Sequence, residues 1–137
     1  NSEFCKKVST VPGVGPLSAT ILLANLGKSI TDFKSGREFA AYLGLVPRQV
    51  STGGKTKLLG ISKRGDSYIR TLMIHGARSA ILKAKNQEVK DERSKWIIAL
   101  LERKGGNKTA VAVANRNARI IYSLIKNNTE YETKRAS

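Results

Sequence analysis

The residues best suited to chemistry lie together at Ser51-Thr52-Gly53-Gly54-Lys55. Two hydroxyls offer oxygen nucleophiles, and two glycines let the main chain approach an anion closely. The lysine beside them supplies charge of the kind that balances a phosphoryl group under attack. An unassisted serine is a weak nucleophile and needs a base or electrostatic help. The surrounding stretch, 44–65, holds five glycines, one proline and five Lys or Arg, with no acidic residue. A loop this long inside a compact domain is uncommon and is usually functional or unstructured. On composition alone a phosphate-handling loop and a plain polar surface loop fit equally.

The rest of the composition narrows the partners. With 137 residues there is room for one domain with a sizeable core. Lys and Arg number 25 against 10 acids, a net charge of +15. That imbalance implies a polyanionic partner, nucleic acid ahead of an anionic membrane, because no basic helix has a strongly apolar face. Aromatics at 6% argue against a stacking platform for single strands. Few acids, one histidine and one cysteine leave no metal site in the chain itself. Cys5 alone excludes an internal disulfide, and an intracellular setting fits. No apolar run reaches membrane-spanning length and no signal peptide is visible, so no membrane partner is expected.

The elements that must position the loop read as mainly α-helical, about five helices around one core. Residues 1–4 read as an expression scar, 5–127 as a single domain and 128–137 as a polar tail that frays. A helical lead-in over 5–10 precedes Val11-Pro12-Gly13-Val14-Gly15, a tight turn, and an apolar helix from Pro16 or Leu17 to Leu26 closed by Gly27. This order has the look of a helix-hairpin-helix, in which backbone N–H groups at a helix start meet a phosphate; Gly13, Gly15 and Ser18 are the candidate contacts. Residues 28–34 read as a loop. Ser35 and Glu38 have capping-box spacing for a short helix ended by Gly44.

Beyond the 44–65 loop, Asp66 reads as the N-cap of a helix over 67–83, striped by Ile69, Leu72, Met73, Gly76, Ala77 and Ala80. A close helix crossing would explain Gly76. His75 is the sole histidine, and a structural role outweighs that of a general base. A polar connection over 84–91 leads to a helix from Asp91 or Glu92 to Gly105-Gly106. Asn107 then caps a last helix over 108–127, striped by Ala110, Val113, Ala114, Ile121, Leu124 and Ile125. Arg70, Arg116 and Arg119 lie off the stripes, as phosphate contacts or as part of a solvated face. A short β-hairpin within 48–62, around Gly53-Gly54, is a further reading of the loop.

VPGVGPLSA near the start, LGLVPRQ, STGGK and GISKRGD in the middle, and NKTAVAVANRNARIIYSLI at the end form a specific combination. It resembles the C-terminal domain of insertion-sequence transposases that carry a four-acid RuvC-like domain at the N-terminus, and of the related pilin-gene invertases. The resemblance covers about residues 8–131. It implies a serine nucleophile, and the family's Ser-[Ser/Thr]-Gly motif falls on Ser51-Thr52-Gly53, with Thr52 at the variable position. It also implies DNA as substrate, a structured guide RNA as partner and a bacterial cytoplasmic setting. Mg²⁺ and the catalytic acids would belong to the RuvC-like domain of the same protein. Arg48, Gly53, Gly54, Lys55, Lys57, Lys63 and Arg64 would then handle phosphate around Ser51.

On this reading the chain binds nucleic acid but catalyses nothing alone. Two alternatives use the same residues: a binding-only helix-hairpin-helix module for duplex DNA, and a structured-RNA binder. A third is an interaction domain that forms a homo-oligomer through the small-residue face of the last helix.

Overall fold

A computed structural model describes residues 2–45, 63–129 and 131, with backbone alone at 2, 28 and 63–66. The described residues form five α-helices and one 3-10 helix, with no strand among them. The hairpin reading for 48–62 lies outside the described residues. Helix α1 is Ser2–Val8, so residues 2–4 begin the first helix, and Phe4 packs half-buried against the core. Helix α2, Pro16–Asn25, starts with proline, whose fixed φ and missing N–H suit the first helical position.

The stretch read as a loop over 28–34 is instead a 3-10 helix, Gly27–Asp32. Ser29 donates to the Leu26 carbonyl and Phe33 to that of Ile30. Ile30 is fully buried, and the Phe33 ring lies 5.4 Å from Phe39 and 5.0 Å from Tyr42. Short-range bonds and one apolar anchor give order to a segment that sequence periodicity leaves blank.

Helix α3, Gly36–Tyr42, carries the expected cap: the Ser35 hydroxyl accepts from the Glu38 N–H at 3.1 Å. The return bond goes one residue further out than in a standard capping box, from Lys34 N–H to the Glu38 carboxylate at 2.7 Å. At the other end Gly44 takes φ +75°, its N–H bonds Ala41 and the Leu45 N–H bonds Ala40. This is a Schellman closure with an apolar residue following it, since Leu45 is fully buried.

Helix α4, Lys63–Asn86, starts earlier than the sequence suggests. Asp66 is inside the helix and is not its N-cap. Gly65 costs about 1 kcal/mol there but does not forbid the helix, and an acid near the start suits the dipole. The helix also runs past Lys83. The Lys90 ammonium then closes its end, donating to the carbonyls of Ala84 and Gln87.

Helix α5, Glu92–Asn127, opens with the expected Asp91 cap, which accepts from Ser94 N–H at 2.8 Å. Gly105 alone inside it has non-helical angles, φ 84° and ψ 171°. Arg93 meets Asn117, 24 residues on, and Arg116 sits 4.5 Å from the Trp96 ring. On an unbroken helix residues so far apart would be separated by about 36 Å. Helix α5 is therefore a hairpin of two arms, 92–104 and 106–127. The break falls at the glycine pair, while Asn107 lies inside the second arm and is not its cap. Its side chain accepts from Arg78 of α4 at 2.9 Å.

The second arm is the spine of the core. Ala110, Val113, Ala114, Ala118 and Ile121 are fully buried, with Asn117 among them. Gly36 lets α3 approach this arm closely: a Cβ added there would stand 3.1 Å from the Arg119 Cα. Tyr122 joins the same face and donates to the Phe33 carbonyl at 2.7 Å.

Candidate nucleic-acid interface

The VPGVGP turn is clamped from below. A Cβ on Gly76 would overlap the Gly13 carbonyl oxygen, and one on Gly13 would lie 2.7 Å from that of Gly76. Gly76 is thus explained by the turn that rests on α4, not by a crossing helix. The Pro12 carbonyl accepts from Asn117 Nδ2 at 3.2 Å and from Arg93 Nη2 at 3.5 Å. Arg93 also donates to Asn117 Oδ1. Its Nε is buried with no hydrogen-bond partner among the described residues. Burial pushes the Arg93 guanidinium below its ordinary pKa; Arg116 acts in the same direction, and Tyr131 and Asp91 oppose it.

Above that clamp the turn faces outward. Gly15 caps α2 from extended backbone, φ −87° and ψ 179°, and a Cβ there would meet nothing within 4 Å. Neither conformation nor packing requires glycine at this position, in contrast to Gly13 at φ +95°. Helix α2 has no side-chain N-cap and no acid in its first turn, and Leu17 is 69% exposed. Ser18 is half-buried at the third helical position. A helix start of this kind offers N–H groups and the positive end of the dipole to an anion.

The N-terminal flank of residues 46–62 is fixed. Asn115 on α5 donates to the Leu45 carbonyl at 2.6 Å, and Arg70 Nε on α4 donates to that of Gly44 at 3.1 Å. Arg70 therefore ties the end of α3 to the helix that resumes at Lys63. Next to Asn115, the exposed positions Arg116, Arg119, Ser123 and Lys126 recur at helical spacing on the second arm. Gly36 brings α3, with exposed Arg37, against the Arg119 backbone. Arg116 is held over Trp96, a cation–π contact that orients its guanidinium.

The family model for the IS116/IS110/IS902 transposases matches residues 5–92. The chain belongs to the IS116/IS110/IS902 transposase family. Its relatives include the "Probable family 20 transposase" of Pseudomonas aeruginosa, 49% identical over 126 residues, 92% of this chain and 36% of that protein. The transposase for insertion sequence element IS1111A of Coxiella burnetii is 47% identical over 130 residues, 95% of this chain and 35% of that protein. The transposase for element IS1328 of Yersinia enterocolitica is 37% identical over 131 residues, 96% of this chain and 38% of that protein. The chain thus spans little more than a third of the length of these transposases.

Within this transposase-family chain, the expected site residues divide. Gly13, Gly15, Ser18, Arg70, Arg116 and Arg119 have the positions just given. Lys63 and Arg64 fall in the first turn of α4. Arg48, Ser51, Thr52, Gly53, Gly54, Lys55 and Lys57 lie outside the described residues. No group of three or more His, Cys, Asp or Glu that could hold a metal ion occurs among the described residues. No described helix is long and apolar enough to cross a membrane. His75 is exposed on α4.

Sequence reading missed Arg93 and Asn117. Asn117 sits at the i+3 and i+4 positions from the apolar Ala114 and Val113, so a polar residue on a core stripe was the available signal.

Proposed function

We propose that this chain is the DNA-contacting, nucleophile-bearing part of an insertion-sequence transposase, with Ser51 as the nucleophile. The observation that carries the reading is the family match over residues 5–92, which takes in the VPGVGP turn, the Ser51 segment and the start of α4. DNA phosphates meet the start of α2 at Gly15 and Ser18, with Gly13 shaping the turn, and they meet Arg70, Arg116 and Arg119 elsewhere.

Ser51 Oγ attacks a DNA phosphorus. The Oγ–P bond forms as the P–O3′ bond breaks, the hydroxyl proton passes to a base, and the departing oxygen takes up a proton as a free 3′ hydroxyl. The phosphoserine ester keeps the phosphodiester bond energy, so attack by another 3′ hydroxyl rejoins strands. Arg48, Lys55, Lys57, Lys63 and Arg64 balance charge on the phosphate, while Gly53 and Gly54 let the main chain come near it. The base and the acids for Mg²⁺ come from an N-terminal RuvC-like domain of the same protein. A structured guide RNA and further copies of the protein complete the assembly, in the bacterial cytoplasm.

Ser51→Ala in the protein that includes the RuvC-like domain is expected to abolish strand exchange while leaving DNA affinity intact, read by a recombination assay beside a mobility shift. Full exchange by Ser51→Ala would favour a binding-only module.

A further inference from the structure

Residues 102–108, at the tip of the α5 hairpin, are exposed without interruption. They contain Arg103, Lys104 and Lys108 against a single acid, Glu102. Arg78 of α4 joins them through its bond to Asn107, which fixes the tip to the body of the domain. Arg103 and Lys104 suit the C-terminal end of the first arm, where cations complement the dipole. Lys108 has no such explanation. It stands in the first turn of the second arm, where a cation opposes the dipole. A Cβ on Gly105 or on Gly106 would meet nothing within 4 Å, so the two glycines of the tip face open space. The arrangement gathers positive charge on an exposed hairpin tip, with Lys108 set against the preference of the helix that carries it.

We propose that this tip is a second phosphate-backbone contact for duplex DNA, separate from the VPGVGP turn. The separation follows from α4. Gly76 takes the turn and Arg78 takes the tip, and residues two apart on a helix point about 200° apart around its axis. Turn and tip therefore sit on opposite flanks of α4. They engage different phosphate runs, either two duplex segments or the two sides of one bent duplex. Phosphate chemistry is favoured because the patch has cations and no aromatic ring for stacking. This inference rests on the DNA-binding reading above.

The test measures binding of the chain to a short blunt DNA duplex between roughly 50 and 200 mM salt. The triple variant Arg103→Gln, Lys104→Gln, Lys108→Gln is compared with a control of equal charge loss, Lys6→Gln, Lys83→Gln, Lys85→Gln. All six side chains are exposed, and thermal melts verify that both variants stay folded. The slope of log affinity against log salt is expected to fall in magnitude by about 0.9 for each phosphate no longer neutralised, hence by about 2 to 3 in the tip variant, and by less than about 1 in the control. Equal slopes in the two variants would overturn the inference while leaving the DNA-binding reading in place. A weakening seen with duplex RNA but not with duplex DNA would overturn it as well. Absence of salt-dependent DNA binding by the unaltered chain would remove the DNA-binding reading and this inference together.

Discussion

Two glycine pairs, Gly13 with Gly76 and Gly105 with Gly106, serve opposite purposes. At the turn, Gly76 is imposed by Gly13, and Gly13 by both Gly76 and its own φ of +95°: the two backbones touch where any Cβ would collide with a carbonyl. At the hairpin tip nothing stands near either glycine. There Gly105 is imposed by its own angles, φ 84° and ψ 171°, and Gly106 by neither angle nor neighbour. The turn is thus made by tertiary contact, anchored through Pro12 to Asn117 and Arg93. The tip is made locally, with open space around its glycines and a bond from Arg78 to Asn107 at its side. A buried, clamped feature can present a fixed helix start, and an open one can project charge.

Four substitutions test this contrast through thermal or denaturant unfolding. Gly76→Ala is expected to cost most, about 3 kcal/mol, because the turn must lift from α4 to admit a methyl group. A cost below about 1 kcal/mol would mean that the turn rests on α4 only slackly. Asn117→Ala is expected to cost about 2 kcal/mol, since the Pro12 carbonyl and Arg93 are both deprived of a buried partner. Gly105→Ala should cost about 1 to 2 kcal/mol from backbone strain alone, with the core unchanged. Gly106→Ala is expected to stabilise by about 0.5 to 1 kcal/mol, as for any compatible helical glycine. If Gly106→Ala destabilised the domain, the tip would be packed and not open.

The helices were legible where apolar spacing and caps coincide. Asp91, Ser35 and Gly44 each mark an end that the structure bears out. The start of α4 was not legible, because Gly65-Asp66 reads as a stop and a cap although the helix passes through both. The 3-10 helix was invisible, since its i+3 bonds leave no apolar period and only Ile30 anchors it. Gly76 signalled a close approach, but sequence alone cannot name the partner, which is 63 residues earlier in the chain. For the candidate site, the turn and Arg116 stand out by type and position, and their contact with nucleic acid stands as a proposal. The clamp beneath them does not stand out, because Arg93 and Asn117 gain their meaning only when the α5 arms fold together. The helix-hairpin-helix reading of the turn and the nucleophile role of Ser51 stand as proposals.

The most direct test of the central claim is a covalent trap. The protein with its RuvC-like domain is incubated with Mg²⁺ and a nicked DNA substrate whose cleaved end diffuses away, then denatured and digested. The account predicts a DNA–protein adduct whose modified peptide carries the phosphodiester on Ser51, and no adduct from Ser51→Ala. An adduct that persists in Ser51→Ala, or that maps to Thr52 or any other residue, would contradict it.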